Sequence, residues 1–357
     1  MSEFEDRGKA LREEETFNIG AVDQWLKKSL PHLQGTPEVT QFHGGASNWT
    51  YRFAYANEDL ILRRPPAGTK AKSAHNMKRE HDLQAALRPY FPKVPEMIGY
   101  CDDESLIGAD FYVMKRMAGI IPRKNLPRGL TLTTIEVRNL CESMLDTLVD
   151  LHRIKIEGTE LESLSKGSGF VARQVSGWNT RYEKSRTWNV PRAKKLMKWL
   201  QENQPEQETL CLTHNDFRFD NLVLSTDDPT KILAVLDWEL AAIGDPLMEV
   251  GNLLAYWVEA DDDKIAQSTR RQPTHLKGMM TRDEVVAYYF EKAGLPPVDM
   301  TFYQVFGLFR LSVIAQQIYY RYHHKQTRNP AFKNFWFLVH YLHWRAKRLI
   351  KQAKLRS

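Results

Sequence analysis

Apolar positions change from a strand-like to a helix-like spacing along the chain. Residues 39–55 form two β-branched and aromatic runs joined by a glycine-containing loop, and a third run, 59–64, is ended by Pro65. A fourth run, within 109–119, leads into a polar bend. From Thr133 onward, apolar residues recur at intervals of three and four. The pattern predicts an antiparallel sheet followed by a mainly helical part.

Start and stop signals place the helices within this pattern. Capping boxes, in which Thr is followed by Glu three residues later, begin helices at Thr133 and Thr281. The apolar segment 302–320 carries Arg310, which favours a buried helix over a membrane span. The other predicted helices are 18–33, stopped at Pro31, then 74–87, and a final pair near 301–323 and 330–352.

Two short apolar runs, 221–225 and 232–236, flank turn-forming residues and predict a β-hairpin. This hairpin is expected to bring Asn221 beside Asp237. Together with Asp216, these side chains supply the oxygen ligands that Mg²⁺ prefers. The sequence therefore predicts a site for magnesium and a polyphosphate.

Composition narrows the class of ligand. The 357 residues carry a formal net charge of +6, with acidic residues interleaved among the basic ones. A basic balance fits a nucleic acid, a membrane surface or an anionic small molecule, and the scattered charge favours the small molecule. The basic tail 345–356 is interpreted as a solvated helix end, where the helix dipole favours cations.

The cysteines and the N-terminus indicate the compartment. Cys101, Cys141 and Cys211 are widely separated and odd in number, which fits neither a disulfide framework nor a zinc site. Residues 1–20 are charged, lack the apolar core of a signal peptide, and are predicted to form a loose arm. The protein is expected to be cytoplasmic. No nucleic acid or membrane partner is expected, and the sequence leaves open whether the chain forms a homo-oligomer.

The motifs resemble those of the aminoglycoside phosphotransferase family. His214, Asp216 and Asn221 have the spacing of a kinase catalytic loop, and LDWE with the following GDP, residues 236–246, is similar to the family's second motif. QFHGGASN, LILRRPP and YVMKRMAG are similar to the branch found alone or fused to acyl-CoA dehydrogenases. The resemblance implies an α+β, two-lobed, protein-kinase-like fold. Its expected parts are an arm (1–20), a nucleotide-binding N-lobe (21–117) with an antiparallel sheet, and a mainly helical C-lobe (118–357) with the catalytic hairpin.

The same resemblance assigns a nucleotide site. Arg63 stands where the family has a lysine that pairs with phosphates and with a helix glutamate. Glu80 shares a helical stripe with Leu83 and Leu87, so it is expected to point inward and pair with Arg63. The remaining predicted nucleotide contacts are the phosphate loop, Gly44, Gly45, Ser47 and Asn48, and the adenine-binding strand end, Met114, Lys115 and Met117.

Roles in catalysis also follow from the resemblance. Asp216 is the expected base, with Asn221 and Asp237 as Mg²⁺ ligands. Arg218 either neutralises charge on the transferred group or pairs with a loop acid. His214 is expected to support the loop, in which Asn215 replaces the usual glycine. Asp245 is expected to brace this loop through backbone amides. Trp178 is equally compatible with ligand binding and with packing. The segment 261–278 is compatible with a lid or substrate loop and with a surface linker.

We expect an ATP-dependent phosphotransferase with a small-molecule hydroxyl as acceptor. Aminoglycosides are polycations and suit an acidic cleft better than this basic chain. The resemblance to the acyl-CoA dehydrogenase-associated branch instead implies a CoA thioester that bears a hydroxyl group. A non-catalytic nucleotide or acyl-CoA-binding module and an aminoglycoside kinase stay open as alternatives, whereas the short 221–237 hairpin leaves no room for the activation loop of a protein kinase.

Overall fold

The computed structural model describes residues 3–42, 48–66 and 76–355. The chain divides into two units. The N-terminal unit comprises Met1–Met144, Thr159–Leu161 and Phe219–Leu240, and the C-terminal unit comprises Leu145–Gly158, Glu162–Arg218 and Ala241–Ser357. The hairpin segment thus groups with the N-terminal unit, although it comes about 100 residues later in the chain than the predicted lobe boundary at 117.

Within the described residues, the N-terminal unit contains an antiparallel sheet of five strands. The order of the strands in the sheet is β1-β2-β3-β5-β4. Residues Tyr51 and Phe53 alternate with more exposed neighbours, as a sheet with one buried face requires. The four predicted strands, β1, β2, β3 and β5 in chain order, are confirmed, whereas the fourth strand of the chain, β4, was not predicted. The five strands are β1 (Glu38–Phe42), β2 (Trp49–Ala54), β3 (Asp59–Arg64), β4 (Met97–Cys101) and β5 (Phe111–Lys115).

Helices cover the two faces of this sheet. Leu60 and Leu62 share a core cluster with Val22 of α1 (Ile19–Ser29). Ile61 instead packs with Met77 of α2 (Met77–Leu87). Because side chains alternate along a strand, Arg63 lies on the same face of β3 as Ile61, which is the face that α2 covers.

The N-terminal arm is not loose, contrary to the expectation from its charge. Lys9 forms a β-bridge with Gln41, and the hydroxyl of Tyr51 donates to the carbonyl of Glu15. The buried carboxylate of Glu5 pairs with Arg116. Charged residues in this segment are therefore used as partners for the sheet.

The predicted hairpin is confirmed in the N-terminal unit. Strands β7 (Leu222–Leu224) and β8 (Ile232–Val235) pair antiparallel. A β-bridge joins Leu224 to Ile120, and the amide of Val235 donates to the carbonyl of Lys93. The hairpin is thereby fixed to segments of the N-terminal unit by main-chain hydrogen bonds.

Helices dominate the C-terminal unit. One antiparallel strand pair, β6 (Cys211–Thr213) with β9 (Ala242–Gly244), was not predicted. The helices after α2 are α3 (Thr134–His152), which both units share, α4 (Phe170–Ser185), α5 (Lys194–Glu202), α6 (Pro246–Ala255), α7 (Lys264–Thr269), α8 (Arg282–Ala293), α9 (Thr301–His323) and α10 (Phe335–Lys354). Among the described residues, no helix is long and apolar enough to cross a membrane.

Several of these helices differ from the sequence expectation. Helices α4, α5, α6 and α7 were not predicted, and α10 begins at Phe335 rather than near 330, after a short 3-10 helix. The segment 261–278 contains α7 and buries Arg270, Gln272 and Thr274. It is therefore part of the packed unit, so the interpretation as a surface linker is wrong.

Helices α6 and α9 pack at unusually short range. A Cβ atom added to Gly251 would lie 2.2 Å from the carbonyl oxygen of Tyr303, and one added to Gly307 would lie 2.1 Å from the carbonyl oxygen of Gly251. Glycine at both positions allows the two backbones to touch. This close approach fixes α9 against α6, the helix that begins at Pro246.

Candidate active site

Arg63 is the centre of a buried ionic cluster in the N-terminal unit. Its Nη1 donates to Oε1 of Glu80 at 2.7 Å, and its Nη2 donates to Oδ1 of Asp237 at 2.9 Å. The hydroxyl of Tyr112, which faces Arg63 across the β3–β5 pair, donates to the same Glu80 oxygen. The predicted pairing of Arg63 with Glu80 is therefore present, and its link to Asp237 joins β3 and α2 to the hairpin.

The charged groups of this cluster are buried and therefore interact strongly with one another. Arg63 is 8% exposed and Glu80 is 2% exposed. Desolvation acts to lower the pKa of Arg63, but the nearby carboxylates of Glu80 and Asp237 outweigh it and hold the pKa well above its ordinary value. The guanidinium therefore stays charged. The planar guanidinium group has several N–H donors in fixed directions, so it can bind two carboxylates at once. A lysine ammonium can also contact two carboxylates, but its geometry is less defined.

Asn221 and Asp237 lie at the open end of the hairpin. The amide of Leu236, the residue before Asp237, donates to the carbonyl of Asn221 at 2.8 Å. Asp237 has a φ of 67°, a left-handed conformation that aspartate tolerates better than most residues. The next residue, Trp238, is fully buried and donates through Nε1 to the carbonyl of Val235. This anchored turn holds Asp237 at the edge, with its side chain 34% exposed.

These two side chains have the chemistry of a nucleotide-bound magnesium site. Mg²⁺ is commonly held by one or two protein oxygen ligands together with phosphates and waters. Asn221 offers an amide oxygen, and the carboxylate of Asp237 has two oxygens, one of which accepts from Arg63. No cluster of three or more His, Cys, Asp or Glu suited to a metal is found among the residues that the structure describes. Asn221 and Asp237 offer two protein ligands, a number that fits a metal that phosphates help to bind.

The predicted phosphate loop is only partly described. Gly44, Gly45 and Ser47 lie outside the described residues. Asn48 is 3% exposed, and its Nδ2 donates to Oε2 of Glu239 at 3.2 Å. The end of this loop therefore contacts the segment that carries Asp237.

The predicted adenine contacts lie at the end of β5. Met114 is buried against Ile61 and Met77. The amide of Lys115 already donates to the carbonyl of Glu96, so it is engaged in the fold. The amide of Met117 makes no hydrogen bond to another described residue. Met117 is therefore a better candidate for an adenine hydrogen bond than Lys115.

In the C-terminal unit, His214 orders the loop that carries Asp216. The His214 ring is fully buried, and its Nδ1 accepts the amide hydrogen of Asp216 at 3.2 Å. Asn215 has a φ of 64°, a left-handed conformation that glycine adopts freely and asparagine tolerates, as the expected replacement of a glycine here requires. The carboxylate of Asp216 accepts from Nη2 of Arg218 at 3.2 Å. Arg218 therefore pairs with the expected base itself, and it also lies over the ring of Tyr256.

Glu249 braces this loop, a role that sequence analysis had assigned to Asp245. Its carboxylate accepts the amide hydrogens of His214 at 3.0 Å and of Asn215 at 2.6 Å. His152 is hydrogen-bonded to the same carboxylate at 2.9 Å and, through its other ring nitrogen, to Tyr289 at 2.8 Å. The only sequence signal was a glutamate within the apolar start of α6.

Asp245 supports a different element. It is the N-cap of α6, and its Oδ1 accepts the amide hydrogen of Met248 at 3.0 Å. Burial raises the pKa of Asp245 to about 6, although backbone amides, including that of Met248, oppose this shift. Asp245 therefore stabilises the helix from which Glu249 projects.

The chain matches a known protein family over more than half of its length. Residues 38–283 match the sequence model of a family described as the phosphotransferase enzyme family, APH. Acyl-CoA dehydrogenase family member 10 of Mus musculus is 35% identical over 304 residues, which are 84% of this chain and 28% of that protein. Acyl-CoA dehydrogenase family member 11 of Homo sapiens is 31% identical over 315 residues, which are 86% of this chain and 40% of that protein.

A solved structure supports the fold. A Ralstonia eutropha protein described as an aminoglycoside phosphotransferase superposes with a TM-score of 0.79 at 24% identity, and the match covers 94% of this chain and 99% of the other. The chain spans less than half the length of the curated relatives that it matches. The two-unit, kinase-like fold and the match over 38–283 show that the chain belongs to the aminoglycoside phosphotransferase family, in the branch that is related to the kinase-like domains of acyl-CoA dehydrogenase family members.

Proposed function

We propose that the protein transfers the γ-phosphoryl group of ATP to a hydroxyl group of a small molecule. The observation that carries this proposal is the pairing of Arg63 with both Glu80 and Asp237. These ion pairs fix a buried guanidinium beside the turn that carries Asp237, the expected metal ligand. Phosphoryl transfer needs this kind of fixed charge, because it depends mainly on alignment and on neutralisation of phosphate oxygens.

Arg63 and Glu80 would position the nucleotide phosphates, and Met117 would bind the adenine edge through its amide. Asn221 and Asp237 would hold Mg²⁺, which supplies charge neutralisation across the phosphates when it is bound. Gly44, Gly45, Ser47 and Asn48 remain the predicted cover of these phosphates. The chain's own contribution at this end is a set of groups whose positions are fixed before ATP arrives.

Asp216 would accept the proton of the acceptor hydroxyl and orient its oxygen for attack. A positioned general base contributes on the order of 10²–10⁴ in rate. The loop around Asp216 supports such a role, since main-chain hydrogen bonds to His214 and Glu249 fix its path. Arg218, which donates to the carboxylate of Asp216, would be close to the charge that develops during transfer.

For the acceptor we propose a hydroxyacyl-CoA. The two curated relatives reported above are named for acyl-CoA dehydrogenases. A net charge of +6 favours an acceptor with phosphates over the polycationic aminoglycosides. This choice rests on family relationship and bulk charge, and the phosphotransfer reaction does not depend on it.

The test is release of ADP in the presence of Mg²⁺ with panels of hydroxyacyl-CoAs, aminoglycosides and a generic protein substrate. We expect turnover with a hydroxyacyl-CoA. Asp216→Asn should reduce transfer by about 10²-fold or more and leave the Kd for ATP within about twofold. A non-catalytic binding module would bind ATP but release no ADP with any acceptor, and an equal loss of ATP affinity in the variant would contradict the role of Asp216.

A further inference from the structure

Arg310 is a buried cation that has no carboxylate partner among the described residues. It is 5% exposed, near the middle of α9. Within the described part of the chain, its polar and ring contacts are a hydrogen bond from Nη2 to the carbonyl of Asn215 at 2.9 Å and a position over the ring of Trp178, 5.3 Å from its centroid. A buried charge without an opposite charge is rare, because desolvation is costly. Arg310 therefore has a charge and hydrogen-bond donors available for an anion.

A second guanidinium lies against the same tryptophan. Arg181 is 4.6 Å from the centroid of Trp178, and it is exposed to solvent. Cation–π contacts orient a guanidinium but leave its hydrogen-bond donors available. Among the described residues, Arg181 also has no carboxylate within ion-pair distance. The cluster Trp178–Arg181–Arg310 thus runs from an exposed cation to a buried one.

This cluster lies beside the proposed base. The carbonyl that accepts from Arg310 belongs to Asn215, which is directly followed by Asp216. Arg218, which pairs with Asp216, adds a third guanidinium to the same loop. A polycationic acceptor would be repelled by this arrangement, whereas a carboxylate or phosphate would be attracted.

We propose that the Trp178–Arg181–Arg310 cluster is a subsite for an anionic group, a carboxylate or a phosphate, of the acceptor molecule. The subsite rests on the proposed phosphotransfer for its catalytic meaning. Its affinity for anions does not depend on turnover. Arg310 binds the oxyanion by charge-assisted hydrogen bonds, and Trp178 holds both guanidinium groups in place.

The experiment compares Arg310→Gln, Arg310→Lys and a control, Arg321→Gln, which removes a charge from the exposed side of the same helix. Glutamine keeps a donor for the Asn215 carbonyl but removes the charge, and lysine restores the charge. Melting temperatures confirm that each variant folds. Three acceptors are compared. In 4-hydroxybutyryl-CoA the anionic groups are phosphates far from the hydroxyl, and in 4-hydroxybutyrate the anionic group is a carboxylate near the hydroxyl. The third acceptor, 1,4-butanediol, has no anionic group.

Arg310→Gln should lower kcat/KM by about tenfold or more for the acceptor whose anion occupies the subsite. This factor corresponds to the usual contribution of a hydrogen bond to a charged group. The change for 1,4-butanediol and in the KM for ATP should be within about twofold. Arg310→Lys should recover part of the loss, and Arg321→Gln should resemble the unmodified protein. An equal loss with all three acceptors would mean that Arg310 only holds the loop, and would overturn the proposal.

Equilibrium binding separates this proposal from the proposed reaction. Calorimetric titration with coenzyme A and with 4-hydroxybutyrate should give a Kd for at least one of them that rises about tenfold or more in Arg310→Gln. That result would support the subsite even if no acceptor were phosphorylated. If neither probe binds the unmodified protein, or if both bind Arg310→Gln equally well, the subsite is wrong while phosphotransfer to a neutral acceptor remains testable.

Discussion

The carboxylate of Glu249 accepts the amide hydrogen of Asn215 at 2.6 Å, one residue before the proposed base. The same carboxylate holds the amide of His214 and is itself held by His152. Glu249 is 1% exposed, so these hydrogen bonds are sheltered from water. Glu249 thus fixes the path of the loop 214–216 through the amides of His214 and Asn215 and not through the side chain of Asp216.

Glu249→Ala should destabilise the protein and loosen this loop. Each of the two amides left without an acceptor costs about 1–3 kcal/mol, so we expect a loss of about 2–6 kcal/mol in the free energy of unfolding. Amide hydrogen exchange across 211–218 should accelerate more than exchange in the N-terminal sheet. Glu291→Ala, an exposed position on α8, is the control and should change neither quantity. Unchanged exchange at His214 and Asn215 would contradict the bracing role.

Arg63→Met should be much more harmful than its double variant with Glu80→Met. The single change leaves the buried Glu80 carboxylate without its cation, which typically costs about 3–5 kcal/mol. Replacing both by methionine removes the uncompensated charge and should restore most of the stability. Urea unfolding of both single variants and the double variant measures the coupling. The double variant should be stable but should not bind ATP, because it lacks the Arg63 guanidinium. Equal stability of the Arg63→Met variant and the double variant would contradict the ion pair.

Asn215→Gly should be tolerated, and Asn215→Ala should not. The left-handed φ of 64° is open to glycine, whereas alanine is destabilised by about 1–2 kcal/mol in this region. Both variants lose the hydrogen bond from Nδ2 to Thr213, so the comparison isolates the backbone. The free energy of unfolding and the rate of ADP release should both be lower in the Asn215→Ala variant than in the Asn215→Gly variant. Identical behaviour would mean that the loop adopts another conformation.

Asp245→Asn should make stability less dependent on pH. Burial raises the pKa of Asp245 from 3.8 to about 6, so the folded protein binds this proton more readily than the unfolded chain. The stabilising contribution is therefore present below about pH 4 and lost as the pH rises through 6. Asparagine also caps helices but stays neutral. Relative to the unmodified protein, the variant should gain about 2–3 kcal/mol between pH 4 and pH 8.

Asp263→Asn is the matched control for this pH experiment. Asp263 is the N-cap of α7. Desolvation acts to raise the pKa of Asp263, but hydrogen bonds from the amides of Ala266 and Ile265 and from the hydroxyl of Tyr341 lower it overall. Its contribution should be present at neutral pH and lost in acid, so the variant should show the opposite trend. The same trend in both variants would show that the pH effect does not come from burial of Asp245.

Local signals were sufficient for much of the N-terminal unit and for one helix start in the C-terminal unit. Glu80 was expected to point inward because it shares a helical stripe with Leu83 and Leu87, and β3 carries Arg63 on the face that α2 covers. The capping box at Thr281 is present as predicted, with reciprocal hydrogen bonds to Glu284. In each case, the interacting residues are close in sequence or lie on adjacent elements, so periodicity alone indicates the contact.

Distant partners account for most of what was missed. The amides of Phe170 and Val171 at the start of α4 donate to Glu208, which lies 38 residues further along the chain, and no local capping residue marks this helix. Glu249 and Arg310 likewise act on the catalytic loop from α6 and α9. Sequence spacing carries no information about such contacts, so only the folded chain identifies these residues.

The hairpin at 219–240 makes the N-terminal unit discontinuous in sequence. During synthesis, the five strands at its start would emerge long before the segment with Asn221 and Asp237. A fragment that stops at 144 would contain Arg63 and Glu80 but would lack the second carboxylate of the cluster. The proposed metal-nucleotide site should therefore be complete only after the ribosome has passed residue 240, and a fragment that stops at 144 is expected to lack it.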